Sequence, residues 1–418
     1  MPSLLRQIST LQDVVDWGLC TGCGVCSAAC TKGAVQLENI PEVGIRPRFT
    51  SDCASCNQCV PICPGYSIDA DLVAPLPKAT EADHEFGQAL EIWEGFASDP
   101  EIRQRASSGG LLTALSLYCL EQEGMPFVLH TGVGEQPWIN RTVQSRTRAE
   151  LLSRTGSRYA PSSPCDGLAA IEASEEPCVF VGKPCDAAAV AKYRQQRPEL
   201  DRKLGLVLTF FCAGTPSTKG TLDLIQFMGA EPSSVETVRY RGDGWPGGFK
   251  IRFKKLGSEI VEKFMTYAES WGRLTGYRSL RCNLCPDGLG RLADISCGDA
   301  WERITKDDPG RSLVLVRTER GREILHRAIA AGYVELDRVG SEAVMAAQPD
   351  LLQRRREIFG RLLALKLFGV PTPEFPGFSL FQSWSRQPFG IQARTLGGTL
   401  RRVVKRGWWK KRAVFDGI

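Results

Sequence analysis

The chain of 418 residues is long enough for two to four domains of about 100–200 residues, and its 43% hydrophobic and 24% charged residues suit a globular protein. Sixteen cysteines, many in metal-ligand groupings, point to a reducing cytoplasm and away from an extracellular disulfide framework. No apolar run approaches the roughly 18 residues of a membrane span, and the N-terminus has no basic start leading into an apolar core, so a secretory signal is not expected.

The first element in chain order is the stretch Cys20–Cys63. It reads CTGCGVCSAAC from Cys20 and CASCNQCVPICP from Cys53, two copies of C-x2-C-x2-C-x3-C offset by 33 residues. That is the ligand pattern of a bacterial two-cluster ferredoxin, in which the fourth cysteine of each run serves the other cluster. The spacing therefore assigns Cys20, Cys23, Cys26 and Cys63 to one [4Fe–4S] cluster, and Cys53, Cys56, Cys59 and Cys30 to the second. Small residues between the ligands (Gly22, Gly24, Ala54, Ser55) let the backbone close on a cubane. Thr31 follows Cys30 where the pattern has proline; Pro64 keeps it after Cys63, and proline is not a ligand. Two complete copies of the pattern outweigh a zinc ribbon or a disulfide knot. Residues 1–70 read as the cluster domain, too small and ligand-bound for a conventional core, and 71–92 as a linker.

The expected body runs from 93 to 337, in parts 93–172 and 173–337. A strand is predicted at Glu91–Ala97. Next comes a helix with Ser107 or Ser108 as N-cap and an apolar stripe through Leu111, Leu112, Ala114, Leu115, Tyr118 and Leu120. Gly109 and Gly110 in its first turn would let an anion reach free backbone N–H groups, although such a sequence is more often only a cap. Strands are expected at Phe127–Gly132, Arg141–Ser145, Pro177–Gly182 and Leu204–Phe211, with helices from Ala149, Ala187 and Thr218. This alternation argues for an α/β layer with parallel strands. Strands at Val235–Tyr240, Phe249–Phe253 and Glu259–Thr266 flank the loop RGDGWPGG, and a strand and helix at Arg311–Arg317 and Glu319–Ala331 complete the body.

Eight cysteines lie beyond the ferredoxin stretch. Cys119 and Cys178 read as core residues, and Cys165 and Cys297 lean the same way. Cys185, Cys212, Cys282 and Cys285 fall in loop-like stretches, the first two just past the carboxyl ends of strands, where open α/β sheets place ligands. Those four suit either a third [4Fe–4S] cluster or a structural zinc.

The pieces SSGGLLTAL (from Ser107), SRYAPS (Ser157), VGKPCDAAAV (Val181), FFCAGTPS (Phe210), YRGDGWPGG (Tyr240), RCNLC (Arg281) and ADISCGDAW (Ala293) stand in order behind the ferredoxin pattern. Together they resemble the coenzyme F420 hydrogenase/dehydrogenase beta-subunit family, which includes 7-hydroxymethyl chlorophyll a reductase, over roughly residues 1–335. The resemblance implies a small two-[4Fe–4S] ferredoxin-like domain followed by a larger α/β flavin-binding body. It implies FAD, with its phosphates near Ser107, Ser108, Gly109 and Gly110, and a third [4Fe–4S] cluster on Cys185, Cys212, Cys282 and Cys285. It also implies flavin or substrate contacts at Arg158, Tyr159, Lys183, Arg241, Trp245 and Asp299.

The expected activity is that of an iron–sulfur flavoprotein oxidoreductase, in which a flavin joins one-electron clusters to a two-electron substrate. Such a substrate is coenzyme F420 or an unsaturated or hydroxymethyl small molecule; the partner is ferredoxin or another redox protein. The alternative is an electron-transfer protein wiring a separate catalytic partner. None of the three histidines falls in a matched motif. Radical S-adenosylmethionine chemistry, a P-loop and a GxGxxG fingerprint have no motif here, and nucleic acid is not an expected partner. The chain's net charge of +5 hides an asymmetry, its basic character belonging to the helical tail, 338–418. Nine Arg or Lys and no acid lie between Glu374 and Asp416, and without them 43 basic residues face 47 acidic. With Trp408 and Trp409 it suits an anionic membrane surface or an acidic partner.

Overall fold

The computed structural model describes residues 6–50, 53, 56–72, 85–255, 259–303 and 308–415. Most of the expected linker, at 73–84, and the small residues Ala54 and Ser55 lie outside this set.

The N-terminal part holds a capped helix and a hairpin. Leu11–Asp16 starts at Thr10, whose hydroxyl accepts from the Asp13 N–H while the Asp13 carboxylate accepts from the Thr10 N–H, a capping box. Strands β1 (Val35–Ile40) and β2 (Gly44–Phe49) pair antiparallel.

Ten strands follow. They are β3 (Glu91–Ala97), β4 (Val128–Val133), β5 (Asn140–Ser145), β6 (Cys178–Gly182), β7 (Leu204–Phe210), β8 (Val235–Arg239), β9 (Gly248–Lys254), β10 (Ile260–Thr266), β11 (Ile295–Asp299) and β12 (Ser312–Val316). An eleventh, β13, spans Val334–Arg338. Eight of them form one sheet in the order β13-β3-β12-β11-β7-β6-β4-β5, and β10-β9-β8 form a separate antiparallel sheet. Only the centre of the large sheet is parallel: β4 with β6, β6 with β7, and β7 with β11. The flanks are antiparallel, so the layer is mixed and not the parallel sheet expected. Helices cover both faces of its centre, which is why β12 and most of β7 are buried end to end.

Helix starts differ from the expected ones. Leu111–Glu121 begins one turn late, with Gly110 as its N-cap at φ +79° and no side-chain cap; Ser107 and Ser108 belong to the preceding loop. Glycine fits there because the left-handed conformation costs it nothing. The helix after β6 begins at Pro184, whose missing N–H suits a first-turn position, so Cys185 sits inside the helix and not in a loop. Cys282 likewise lies in the short helix Leu280–Asn283.

The tail is mainly helical, in segments Ser341–Ala347, Pro349–Arg356, Ile358–Leu367, Leu380–Ser385 and Phe389–Arg406. Within this helical tail, Pro349–Arg356 and Ile358–Leu367 are separated at Glu357. The tail also corrects the expectation of a cluster domain without a core. Leu11, Val14, Trp17 and Leu19 share one buried cluster with Leu280 and Leu284 of the body and Leu362, Leu365, Phe378 and Val403 of the tail. Backbone bonds fix the contact: the Ile68 N–H donates to Glu374 O, Ala70 to Pro376 O, and Arg412 to Asp16 O.

Candidate functional site

The N-terminal thiols fall into two groups. Cys20, Cys23, Cys26 and Cys63 lie close enough to repel one another as thiolates, and burial together with that repulsion raises the Cys63 thiol to about 12. Cys30, Cys53, Cys56 and Cys59 form the second group, where burial and the same repulsion raise Cys59 to about 11. Cys63 thus neighbours Cys20 and Cys23, and Cys30 neighbours Cys53 and Cys59. Backbone amides point at the sulfurs: Gly22 N–H lies 3.4 Å from Cys20 Sγ, and Ala34 N–H 3.2 Å from Cys30 Sγ. The groups adjoin, with Cys59 Sγ 3.7 Å from the Cys26 carbonyl oxygen.

Cys185, Cys212, Cys282 and Cys285, separated by up to 100 residues in sequence, converge as a third group. Cys185 feels the charges of Cys212 and Cys285, and Cys212 those of Cys282 and Cys285. Burial raises Cys212 to about 12. At Cys282 burial acts upward, but hydrogen bonds from Ser279 and the Thr215 N–H and the nearby Arg354 lower the thiol overall. Arginines close the group from two sides. Arg278 donates to Ala213 O at 2.8 Å, and from the tail Arg354 donates to Ala213 O and Cys282 O, and Arg361 to Asn283 O at 2.9 Å. Among the described residues no three His, Cys, Asp or Glu side chains converge tightly enough to chelate one metal ion.

A cavity of about 560 Å³ opens at the carboxyl ends of β6, β7 and β11. Its lining includes Ser107, Ser108 and Gly110, and also Cys212 and the tail residue Leu351. Of the ten expected flavin or substrate residues, Arg158, Tyr159, Lys183, Arg241 and Asp299 also line it, whereas Gly109 and Trp245 do not. Gly109 lies behind the wall, where a Cβ would stand 2.7 Å from Gly95 O, and its N–H donates to Ser312 Oγ at 2.8 Å.

The lining side chains are held by one another. The Arg241 guanidinium grips the Asp299 carboxylate with two N–H groups, one at 2.8 Å, and Trp245 Nε1 donates to the same carboxylate at 2.8 Å. Burial works against the Arg241 charge, but Asp299 outweighs it and keeps the guanidinium protonated. Trp301 stacks between Trp245 and Tyr267, at centroid distances of 5.8 and 5.4 Å. Lys183 Nζ bonds Asp186 Oδ2 at 2.8 Å and both Ser162 oxygens, while Asp186 Oδ1 is buried with no hydrogen-bond partner. Arg158 is anchored from behind: it donates to Asn140 Oδ1 and Pro137 O and lies over Tyr240.

Several lining residues had no sequence signal, among them His130, Arg154, Asp186, Tyr267, Trp271 and Trp301. Asp186 and Trp301 stand inside quoted motifs, so motif membership was the one available hint. Cys119 and Cys178 are core residues, as expected. Cys165 is fully buried against Cys23, its N–H donating to Cys23 O at 3.1 Å. Cys297 lines the cavity from β11.

Two family models, for the N-terminal and the C-terminal parts of the coenzyme F420 hydrogenase/dehydrogenase beta chain, match residues 92–169 and 176–342 respectively. Together the two span more than half of the chain. Residues 19–68 match a 4Fe-4S dicluster domain. Coenzyme F420 hydrogenase subunit beta of Methanosarcina barkeri is 27% identical over 266 residues, covering 60% of this chain and 83% of that one. F420-dependent formate dehydrogenase subunit beta of Methanocaldococcus jannaschii is 26% identical, covering 60% of this chain and 63% of that one. In fold, the chain is similar to one in a solved structure of the F420-reducing [NiFe] hydrogenase complex from Methanosarcina barkeri. The TM-score is 0.52 and the identity 24%, over 68% of this chain and 93% of that chain.

Proposed function

This chain belongs to the coenzyme F420 hydrogenase/dehydrogenase beta-subunit family, and from that premise we propose that it is an iron–sulfur flavoprotein oxidoreductase. Its 4Fe-4S dicluster domain exchanges single electrons with a ferredoxin-type partner, and a two-electron substrate such as coenzyme F420 or an unsaturated or hydroxymethyl small molecule reacts at the cavity. The observation that carries this reading is that Cys212 belongs to the third thiol group and also lines the cavity. A one-electron carrier on that group would stand at the wall of the site where a pair of electrons is used.

In this reading Cys20, Cys23, Cys26 and Cys63 hold the inner cluster, and Cys30, Cys53, Cys56 and Cys59 the outer. Cys185, Cys212, Cys282 and Cys285 would hold a third [4Fe–4S] cluster, the all-thiolate donor set in a chain that already carries a 4Fe-4S dicluster domain favouring a cubane over zinc. Four buried thiolates repel one another, and a bound cluster supplies the compensating positive charge.

FAD fits the cavity on two observations. The first-turn backbone at Gly110–Thr113 opens onto it, where N–H groups at a helix start suit a phosphate. Elsewhere in its lining, the buried Asp186 Oδ1 lacks the donor that a polar ring edge or ribityl hydroxyl would supply. When bound, a flavin accepts electrons singly and delivers them as a pair. The chain's own part is positional. Ser107, Ser108 and Gly110 would hold the phosphates, and Lys183, fixed by Asp186 and Ser162, presents a buried cation to the ring region. The Arg241–Asp299 pair, with the Trp245–Trp301–Tyr267 stack, holds the wall and keeps water from the reacting atoms.

Anaerobic purification followed by iron, sulfide, zinc and flavin analysis tests the proposal. About twelve irons and one FAD per chain are expected, from four irons per cubane. About eight irons with bound zinc sinks the third cluster, and absence of flavin sinks the oxidoreductase reading.

A second reading, a subunit that wires a separate catalytic protein, is favoured by the naming of both relatives above as beta subunits. Flavin-dependent turnover of a small-molecule acceptor by the purified chain alone separates the two. The exposed cations Arg394, Arg401, Arg402, Lys405 and Arg406 extend the proposal to an anionic surface, of a membrane or an acidic redox partner.

A further inference from the structure

Arg281 is among the largest fully buried side chains, 1% exposed, and it stands between two of the thiol groups. Its Nη2 donates to Pro64 O at 2.8 Å, next to Cys63 of the inner group, and the guanidinium lies 5.1 Å from the Phe375 ring centre. Its backbone leads directly into Cys282, and its charge acts on Cys20 on one side and on Cys282 and Cys285 on the other. Among the described residues it has no carboxylate partner, and its Nε is buried without an acceptor.

A guanidinium stays charged in any protein interior, and a buried cation with only a carbonyl and a ring for company costs several kcal/mol. Something anionic must balance it, and what faces it on both sides is thiolate sulfur. A cubane ligated by four thiolates is a net anion, and reduction by one electron makes it more so. A fixed cation near such a centre therefore stabilises its reduced state. The other cations of the junction each serve one side. Arg46 acts on Cys20 and Arg354 on Cys212, Cys282 and Cys285, while Lys192 is turned to Ser67 and the Cys63 carbonyl oxygen.

We infer that Arg281 is the shared counter-cation of the inner ferredoxin cluster and of a cluster on Cys185, Cys212, Cys282 and Cys285, raising the reduction potentials of both together. Arg281 is a positioning residue and touches no substrate. In the step it serves, one electron leaves the inner cluster and one arrives at the third, with no bond made or broken. A cation placed between donor and acceptor favours the electron about equally on either side, so the transfer stays close to balanced and runs in both directions. The inference rests on the third cluster proposed above.

The test is an EPR-monitored redox titration of the anaerobically purified full chain, as wild type, Arg281→Gln and Arg281→Lys. In Arg281→Gln the midpoint potentials of the inner and third clusters fall, and that of the outer cluster, on Cys30, Cys53, Cys56 and Cys59, stays at its wild-type value as an internal control. Arg281→Lys keeps the charge and shortens the reach to Pro64, so its potentials return most of the way. Unchanged potentials in the Gln variant, or an equal fall at all three clusters, overturn the inference. If the Gln variant fails to retain iron, Arg281→Met is titrated in its place: a fall confined to the inner and third clusters supports the inference, and unchanged potentials or an equal fall at all three clusters overturn it. Iron and zinc analysis of the wild type separates the two failures. Eight irons with zinc removes the third cluster, whereas twelve irons with unmoved potentials removes only the role of Arg281.

Discussion

At the scale of single residues, the wall of the cavity depends on one carboxylate. Asp299 accepts from Arg241 twice and from Trp245, and its partners are stacked on Trp301 and Tyr267. Asp299→Asn leaves the 3%-exposed Arg241 side chain without its counter-charge. It should destabilise the protein by about 3–5 kcal/mol, the usual cost of breaking a buried pair from one side, and weaken flavin retention on gel filtration. A fully stable variant with normal flavin content contradicts this account. His130 supplies a pH dependence. Burial, and then the charge of Arg154, lower it from its ordinary 6.5 to about 4, and its Nε2 lies 2.7 Å from Ser145 Oγ. Between those values the unfolded chain binds the proton and the folded chain does not, so stability falls as pH drops from 6.5 towards 4. The loss between pH 7 and pH 5 is about 2 kcal/mol, and it should vanish in His130→Gln when denaturant midpoints at the two pH values are compared. Acid lability of the clusters is common to both proteins and cancels in the difference.

At the scale of elements, the tail helices decide whether the ferredoxin domain stands. Leu365 on Ile358–Leu367 is fully buried in the core that Leu11, Val14 and Trp17 need, and Lys411 ties back to Asp13 at 2.7 Å. Leu365→Ala should cost about 2–5 kcal/mol, and loss of cluster absorbance on anaerobic heating should move to lower temperature with it. Iron absorbance that survives unchanged would show the domain to be held by its clusters alone. The sequence located most strands within a residue or two, because alternating and continuous apolar runs carry that signal. It missed β13 and left Ile295–Asp299 as a turn. ISCGD is short, rich in small and polar residues, and becomes a strand only because β7 and β12 flank it.

At the scale of the whole molecule, the outer and inner thiol groups adjoin, and the third group meets the cavity at Cys212. The tail's basic residues are divided by this architecture. Lys411 and Arg412 clasp the N-terminal helix, while Arg401, Arg402 and Lys405 point outward. Removing residues 400–418 would strip Val403 and Trp408 from the core, so the membrane question calls for Arg401→Gln, Arg402→Gln and Lys405→Gln together. Reduced co-sedimentation with anionic liposomes, at unchanged thermal stability, is the expected outcome; equal binding by both proteins rules out that surface. The sequence by itself determined the ferredoxin pattern and the family, because cluster ligation fixes cysteine spacing over a dozen residues and leaves it written in the chain. Only the tertiary structure decided that Cys185, Cys212, Cys282 and Cys285 come near one another and that the tail completes the ferredoxin core. Most of those contacts join residues far apart in the chain, where no local periodicity records them and the packing of the whole chain alone brings them together.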